Sequence, residues 1–301
     1  MPLQLNWVNR NTGEDGTRIY RAQTPMDLAA LPEPLVSLAP GITTYLDETI
    51  ERNKVYHYLF ETFKGQDRAF SKEQILGVYP DTGPGPQTLL RGDFKHGYFG
   101  IVSQSELFTA AELTSLVSAP GSQYGGAIEW LKFAIDGKIL FVANKIVNHS
   151  MSWDQLYNAG LVYGVDGPGP FNSGIEVNQM KTVNKGDSTF IVRLMTGTDD
   201  PATVRPTAGR PTSNSEWNRV FYPLIIGNDS LYLPSVKFDS RPASELAQLD
   251  GVGYQAFVQD VGDTTANRII RGGSSLMHYI NQIPASYSSN TGWRPVLELV
   301  L

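Results

Sequence analysis

The sequence predicts a mainly β chain with short helices, an α+β protein divided into two domains. Three observations carry that reading. Apolar and polar residues alternate with strand periodicity through residues 1–80. Glycine and proline are frequent, at 29 and 19 residues, while charged residues make up only 18%; that mix favours short strands and many turns over long helices. The run Asp81-Thr82-Gly83-Pro84-Gly85-Pro86 interrupts the pattern, because alternating Gly and Pro continues neither a helix nor a central strand. The boundaries follow as a domain at 1–80, a Gly/Pro linker at 81–87 and a second domain at 88–301.

In the first domain, Leu3, Leu5 and Trp7 alternate with polar partners. Arg18-Ile19-Tyr20-Arg21 reads as a strand after the turn at Gly13–Gly16, and Thr43–Asp47 as another before a turn at Arg52-Asn53. Val55–Phe63 is a longer, aromatic-rich strand, and a last one lies near Lys72–Val78. Six or seven short strands in so few residues predict a β-sandwich.

The second domain is mixed. Ser103-Gln104-Ser105-Glu106 and Thr109-Ala110-Ala111-Glu112 both fit the capping box that opens a helix, and a helix is expected over 110–118, before Pro120-Gly121. Trp130–Ile135, Asp136-Gly137 and Lys138–Ala143 form a hairpin signal, since Asp-Gly suits a turn that needs positive φ. Ser152-Trp153-Asp154-Gln155 opens a short helix closed by Gly160. Gly167–Pro170 reads as a surface loop, Phe190–Met195 as a buried strand, and Ser213–Glu216 as the cap of a helix carrying Trp217, Val220 and Phe221 and stopped by Pro223. One more helix is expected over Ser240–Leu249.

Composition excludes several chemistries. The chain has no cysteine, hence no disulfide, thiolate metal site or thiol nucleophile. A net charge of −6 offers no footprint for nucleic acid. No basic run, leader-like apolar segment or spanning-length apolar stretch occurs, so the expectation is synthesis in a cytoplasm with no signal peptide and no membrane insertion. The histidines at 57, 96, 149 and 278 are scattered. No nucleophile elbow and no phosphate loop is present. Arg91-Gly92-Asp93 reads as a turn. No catalytic residue, metal or cofactor is expected.

The residues of the first domain resemble the fibronectin type III module: the early Trp7, the Ile19-Tyr20-Arg21 strand, the Tyr45-x-Asp47 pair and the Tyr56-x-Tyr58 strand stand in its order. In the second domain, Asn267–Arg271 runs into Gly272-Gly273, and the chain closes on Gly292-Trp293-Arg294-Pro295-Val296-Leu297-Glu298-Leu299. With the hairpin at Asp136-Gly137, Ser152-Trp153-Asp154, Val192-Arg193-Leu194 and Ser215–Arg219, this resembles the formylglycine-generating-enzyme variant of the C-type-lectin fold as it occurs in phage structural proteins. The enzymes of that family need a cysteine pair, which this chain lacks. Its calcium-binding lectins carry Trp-Asn-Asp, whereas this chain has Trp217-Asn218-Arg219, whose guanidinium repels a cation.

The resemblances imply a non-enzymatic bacteriophage virion structural protein: a neck or collar, baseplate or tail-fibre component. Its partners would be other virion proteins and further copies of itself. The alternative is a receptor-binding, lectin-like adhesin for host surface glycan. Tyr254, Phe257, Tyr279, Tyr287 and Trp293 stand among Ser, Asn and Gly in the last third, the composition of adaptable recognition loops, although rings of this kind also fill cores. Tyr254, Tyr279, Asn281, Tyr287 and Asn290 are the candidate ligand-binding residues, with Met277–Thr291 as the candidate surface.

Overall fold

A computed structural model describes residues 2–51, 54–78, 82–171, 174–199, 214–224, 255–262, 264, 267–273, 279–284 and 291–301, with the backbone alone at 279 and 281–284. The protein is mainly β with a few short helices. It divides into two compact units: Met1–Thr82 with Asp93–Lys95 and Leu301, and Gly83–Gly92 with His96–Val300. Among the described residues, no helix is long and apolar enough to cross a membrane.

The first unit contains β1 (Leu3–Asn6), β2 (Gly16–Ala22), β3 (Val36–Leu38), β4 (Thr44–Asp47), β5 (Lys54–Lys64), β6 (Asp67–Phe70) and β7 (Gln74–Val78). β1 pairs with β4 alone; β3, β2, β5 and β6 form the second sheet in that order, with β7 also on β5. Leu5, Ile19, Tyr56 and Tyr58 meet in one core. Two carboxylates are buried beside it. Asp47 accepts from Tyr58 Oη at 2.8 Å and from Arg21 Nη1 at 2.7 Å. Glu61 accepts from Arg18 and Arg68, at 3.1 and 2.7 Å, and from Tyr20. Each carboxylate therefore ties together strands distant in sequence, and its partners offset the cost of desolvating it.

The second unit contains β8 (Arg91–Gly92), β9 (His96–Ser103), α1 (Ala110–Val117), β10 (Ser122–Gln123), β11 (Glu129–Ile135), β12 (Lys138–Ala143), β13 (Asn148–His149), α2 (Trp153–Asn158), β14 (Thr182–Lys185), β15 (Ser188–Arg193), α3 (Glu216–Phe221), β16 (Gln255–Val261), β17 (Asn267–Gly272), β18 (Tyr279–Pro284), β19 (Thr291–Trp293) and β20 (Val296–Leu299). One sheet runs β14-β15-β20-β12-β11-β9-β8, the other β10-β13-β19-β16-β17-β18. Leu131, Phe133 and Val142 of the first sheet share a core with Val258 and Ile269 of the second and with Trp217 and Phe221 of α3.

Local signals explain several elements. Asp136 and Gly137 have φ of 50° and 81°, as a primed hairpin turn requires. Thr109 and Ser152 each close a capping box, on Glu112 and Gln155. Ser103 makes the same reciprocal contacts with Glu106, yet the chain there forms a turn and not a helix. Only three residues, the last of them its cap Thr109, separate Glu106 from α1. The N-cap of α3 is Ser215; Ser213, the turn expected at Arg52-Asn53 and the helix expected over 240–249 lie outside the described residues.

Two expectations are corrected. Residues 83–87 are not a free linker. Lys132, fully buried, donates to the carbonyls of Gly83, Pro84 and Pro86 at 3.2, 3.0 and 2.7 Å. Gly85 lies so close to Val102 that a Cβ would fall 2.3 Å from its Cγ2. The Gly-Pro run thus packs into the second unit. The closing segment is also two strands, not one: β19 belongs to one sheet and β20 to the other. The crossing occurs at Arg294-Pro295, where proline has no N–H for a ladder. Arg294 secures it by donating to the Asn144 carbonyl at 3.1 Å over the Phe221 ring.

Candidate functional site

Of the expected ligand residues, the six-stranded sheet holds the backbone of Tyr279 and Asn281, both on β18. Gln255 pairs with Gly272 across β16–β17 and with Thr291 in the parallel β16–β19 pair; Arg271 pairs with Tyr279. Tyr254 directly precedes Gln255, and Asn290 directly precedes Thr291. The start of β16, the start of β19, the end of β17 and Tyr279 at the start of β18 therefore meet at one end of the sheet. Asn281 lies two residues into β18. Tyr254, Tyr287 and Asn290 are outside the described residues, as are the side chains of Tyr279 and Asn281.

The glycine pair shapes this end. Gly272 and Gly273 have φ of 85° and 111°, conformations that glycine adopts without strain. A Cβ on Gly273 would meet the Gln255 side chain at 3.0 Å. Thr291, fully buried, donates to Gln255 Oε1 at 3.4 Å.

A buried polar frame supports these strands. Arg271 donates to the Gly197 carbonyl at 2.6 Å and to Asn218 Oδ1 at 2.5 Å. Asp260 accepts from Gly197 N and Thr198 Oγ1, both at 2.6 Å. Burial pushes the Asp260 carboxyl up to about 6, against those hydrogen bonds and the nearby Arg271 charge. Arg193 makes a two-pronged pair with Glu216 at 2.7 and 2.6 Å and donates to Glu298 at 2.8 Å. Burial pushes Glu216 up, but the adjacent Arg193 guanidinium outweighs it and holds the carboxyl below its ordinary value. Sequence reading missed this frame because Arg193, Glu216, Asp260 and Arg271 meet only through the fold.

Two rings proposed from composition as recognition residues are core. Trp293 is 0% and Phe257 1% exposed; both lie on strands buried on both faces. Asn218, on the lectin-like Trp-Asn-Arg triplet, is engaged by Arg271, while Arg219 pairs with Asp136 at 2.5 Å. His96 Nε2 lies 2.6 Å from the Arg219 carbonyl, His57 Nδ1 3.2 Å from Glu73, and His149 Nδ1 2.8 Å from Ser150. Among the described residues, no three His, Asp or Glu side chains form a metal-holding group.

A second concave surface was not anticipated. In the first unit, cavities of about 390 and 370 Å³ share Arg10, Asn11, Thr62 and Ala69 in their walls and so form one groove. It runs beside the segment after β1 and against β5 and β6. The run Leu3–Asn9, without a charge, was the available signal.

No family model, curated protein or solved structure matches the chain. What remains to interpret is geometry: a loop-bearing sheet end over a stiff polar frame, and a groove in the smaller unit.

Proposed function

We propose that the chain is a non-enzymatic structural component of a bacteriophage virion, placed in a neck or collar, baseplate or tail fibre. In this reading the first unit is a fibronectin type III-like module that docks to neighbouring virion proteins. The second is a C-type-lectin-like domain, of the formylglycine-generating-enzyme variety, that displays a binding surface outward. One observation carries the reading: the starts of β16 and β19 and the end of β17 meet at one end of a sheet held by buried Arg271, Asn218 and Asp260. A rigid scaffold beneath polar, Tyr-bearing segments suits recognition, since little order is lost on binding. The absence of cysteine removes the redox chemistry of the family's enzymes. Fold analogy supplies the virion context.

Antibody raised against the protein tests this on negatively stained particles from the source that encodes it. Labelling at a fixed position on the particle is expected; signal confined to the soluble lysate contradicts the reading.

A receptor-binding lectin is the second reading, favoured by the position of Tyr279 opposite Arg271 at the end of the sheet where Gln255 meets Thr291. It places host surface glycan on those residues with Asn281 and Tyr287. A glycan array probed with the whole chain checks it: signal lost on replacing Tyr279 and Tyr287 with Ala supports it, and no signal contradicts it.

A further inference from the structure

We propose that Asp166-Gly167 is a latent covalent modification site, where the backbone isomerises to isoaspartate, and that the side chain of Asn178 holds it shut. The proposal is independent of the function proposed above. It begins from two hydrogen bonds on one carboxamide. Asn178 Nδ2 donates to Asp166 Oδ1 at 2.8 Å, and the Gly167 main-chain N–H donates to Asn178 Oδ1 at 3.3 Å. One side chain therefore engages both the carboxylate and the following amide of an Asp-Gly pair. A carboxamide does this because it carries an acceptor and two donors.

Those two groups are the partners of an intramolecular cyclisation. The Gly167 nitrogen attacks Asp166 Cγ, a C–N bond forms, the nitrogen gives up its proton and the carboxyl loses one oxygen as water. The five-membered succinimide then takes a water back. Addition at the side-chain carbonyl restores aspartate. Addition at the main-chain carbonyl breaks the original peptide bond and leaves the chain running through Cβ and Cγ, as isoaspartate. The water lost on closure is regained on opening, so no co-reactant is needed.

The local structure leaves the pair open to this chemistry. Asp166 is exposed. Gly167 has φ of 103°, and a Cβ there would meet nothing within 4 Å, so no side chain shields its nitrogen. Ring closure requires the Gly167 N–H to lose its proton and the Asp166 carboxyl to turn onto that nitrogen. Asn178 holds the first and grips the second.

The clamp is itself anchored. Asn178 Oδ1 also accepts from Met180 N at 2.8 Å. The next residue, Gln179, is fully buried. Its side chain donates to the carbonyls of Tyr157 and Val177 at 2.9 and 3.0 Å and accepts from Val162 N at 3.1 Å. Its main-chain N–H donates to the Gly167 carbonyl at 2.9 Å. Two other described Asp-Gly pairs are held without Asn178. Asp15 accepts from Gly65 N at 2.7 Å, and Gly16 pairs with Phe63 in the β2–β5 ladder; Asp136 pairs with Arg219 at 2.5 Å. Both serve as internal references.

Storage of the whole purified chain in warm neutral buffer, followed by tryptic peptide mapping, tests this. The isoaspartyl form of the peptide spanning residues 146–181 keeps its mass, separates by reversed-phase chromatography and is located by electron-transfer fragmentation. Folded wild type is expected to convert at Asp166 more slowly than the same chain held unfolded in urea. Folded Asn178→Ala is expected to convert about tenfold faster than folded wild type, the scale of removing two ordinary hydrogen bonds, with Asp15 and Asp136 unchanged. Asn178→Asp separates the clamp from mere support of the loop. It keeps an acceptor for the amides of Gly167 and Met180 but repels the Asp166 carboxylate, and its rate is expected between those of wild type and Asn178→Ala. Should Asn178→Ala lose its fold, Asn178→Asp decides alone. Equal rates in folded and unfolded wild type, a folded Asn178→Ala or Asn178→Asp as slow as wild type, or an equal rise at Asp15 and Asp136 overturns the proposal.

Discussion

The Nζ of Lys132 lies 2.7 Å from the carbonyl oxygen of Pro86. The same ammonium also takes the carbonyls of Gly83 and Pro84 and sits 5.0 Å from the centre of the Phe99 ring. One buried cation thus holds a proline-rich strap that has few amides of its own to donate.

Replacing Lys132 with Met tests that role. The substitution keeps an apolar side chain of similar length but removes the charged donor from three acceptors. A loss of about 3 kcal/mol is expected in urea denaturation. Limited proteolysis of the folded variant should cut within residues 83–87, where the wild type resists. Unchanged stability and an uncut strap contradict the assignment.

Glu216→Gln leaves Arg193 with a neutral partner in place of a two-pronged carboxylate. A cost of about 3 kcal/mol near neutral pH is expected. The pH dependence is specific. Glu216 has its folded pKa below the ordinary value, so its contribution is present above the unfolded pKa and is lost as pH falls through the folded one. The wild type's advantage over the variant should therefore shrink on acidification below the usual carboxylate range. An advantage that stays constant there argues against the pair.

Asp260 predicts the opposite slope. Burial raises its carboxyl from 3.8 to about 6. Its contribution is full below the unfolded pKa and is lost as pH rises through the folded one. Relative to Asp260→Asn, the wild type should lose about 3 kcal/mol between pH 4 and pH 7. Denaturation of both proteins across that interval measures it; a flat difference contradicts a desolvated Asp260.

Much of the strand order was legible because it depends on local rules. Asp136-Gly137 needs positive φ, and Thr109 and Ser152 cap helices through residues three positions on. Ser103-Glu106 shows the limit: the box closes, but a cap stabilises an end and supplies no helix to follow. The Gly-Pro strap was unreadable as packing, since its partner Lys132 lies far along the chain and lysine is almost never fully buried. Trp293 and Phe257 stayed open between the two roles for a related reason. Rings that fill a core and rings that grip a ligand look alike in composition, and only the sheet decides which way each points. For the candidate site, register explains why Gln255, Tyr279 and Thr291 share an end, whereas spacing in the chain placed only the last two near each other.

The most direct test is the structure of the assembled particle by electron microscopy. The proposed function predicts density for this chain at a defined position, with the first unit against a neighbouring protein and the β16–β19 end turned outward. A complete particle without this chain, or purified protein that turns over a substrate, contradicts it.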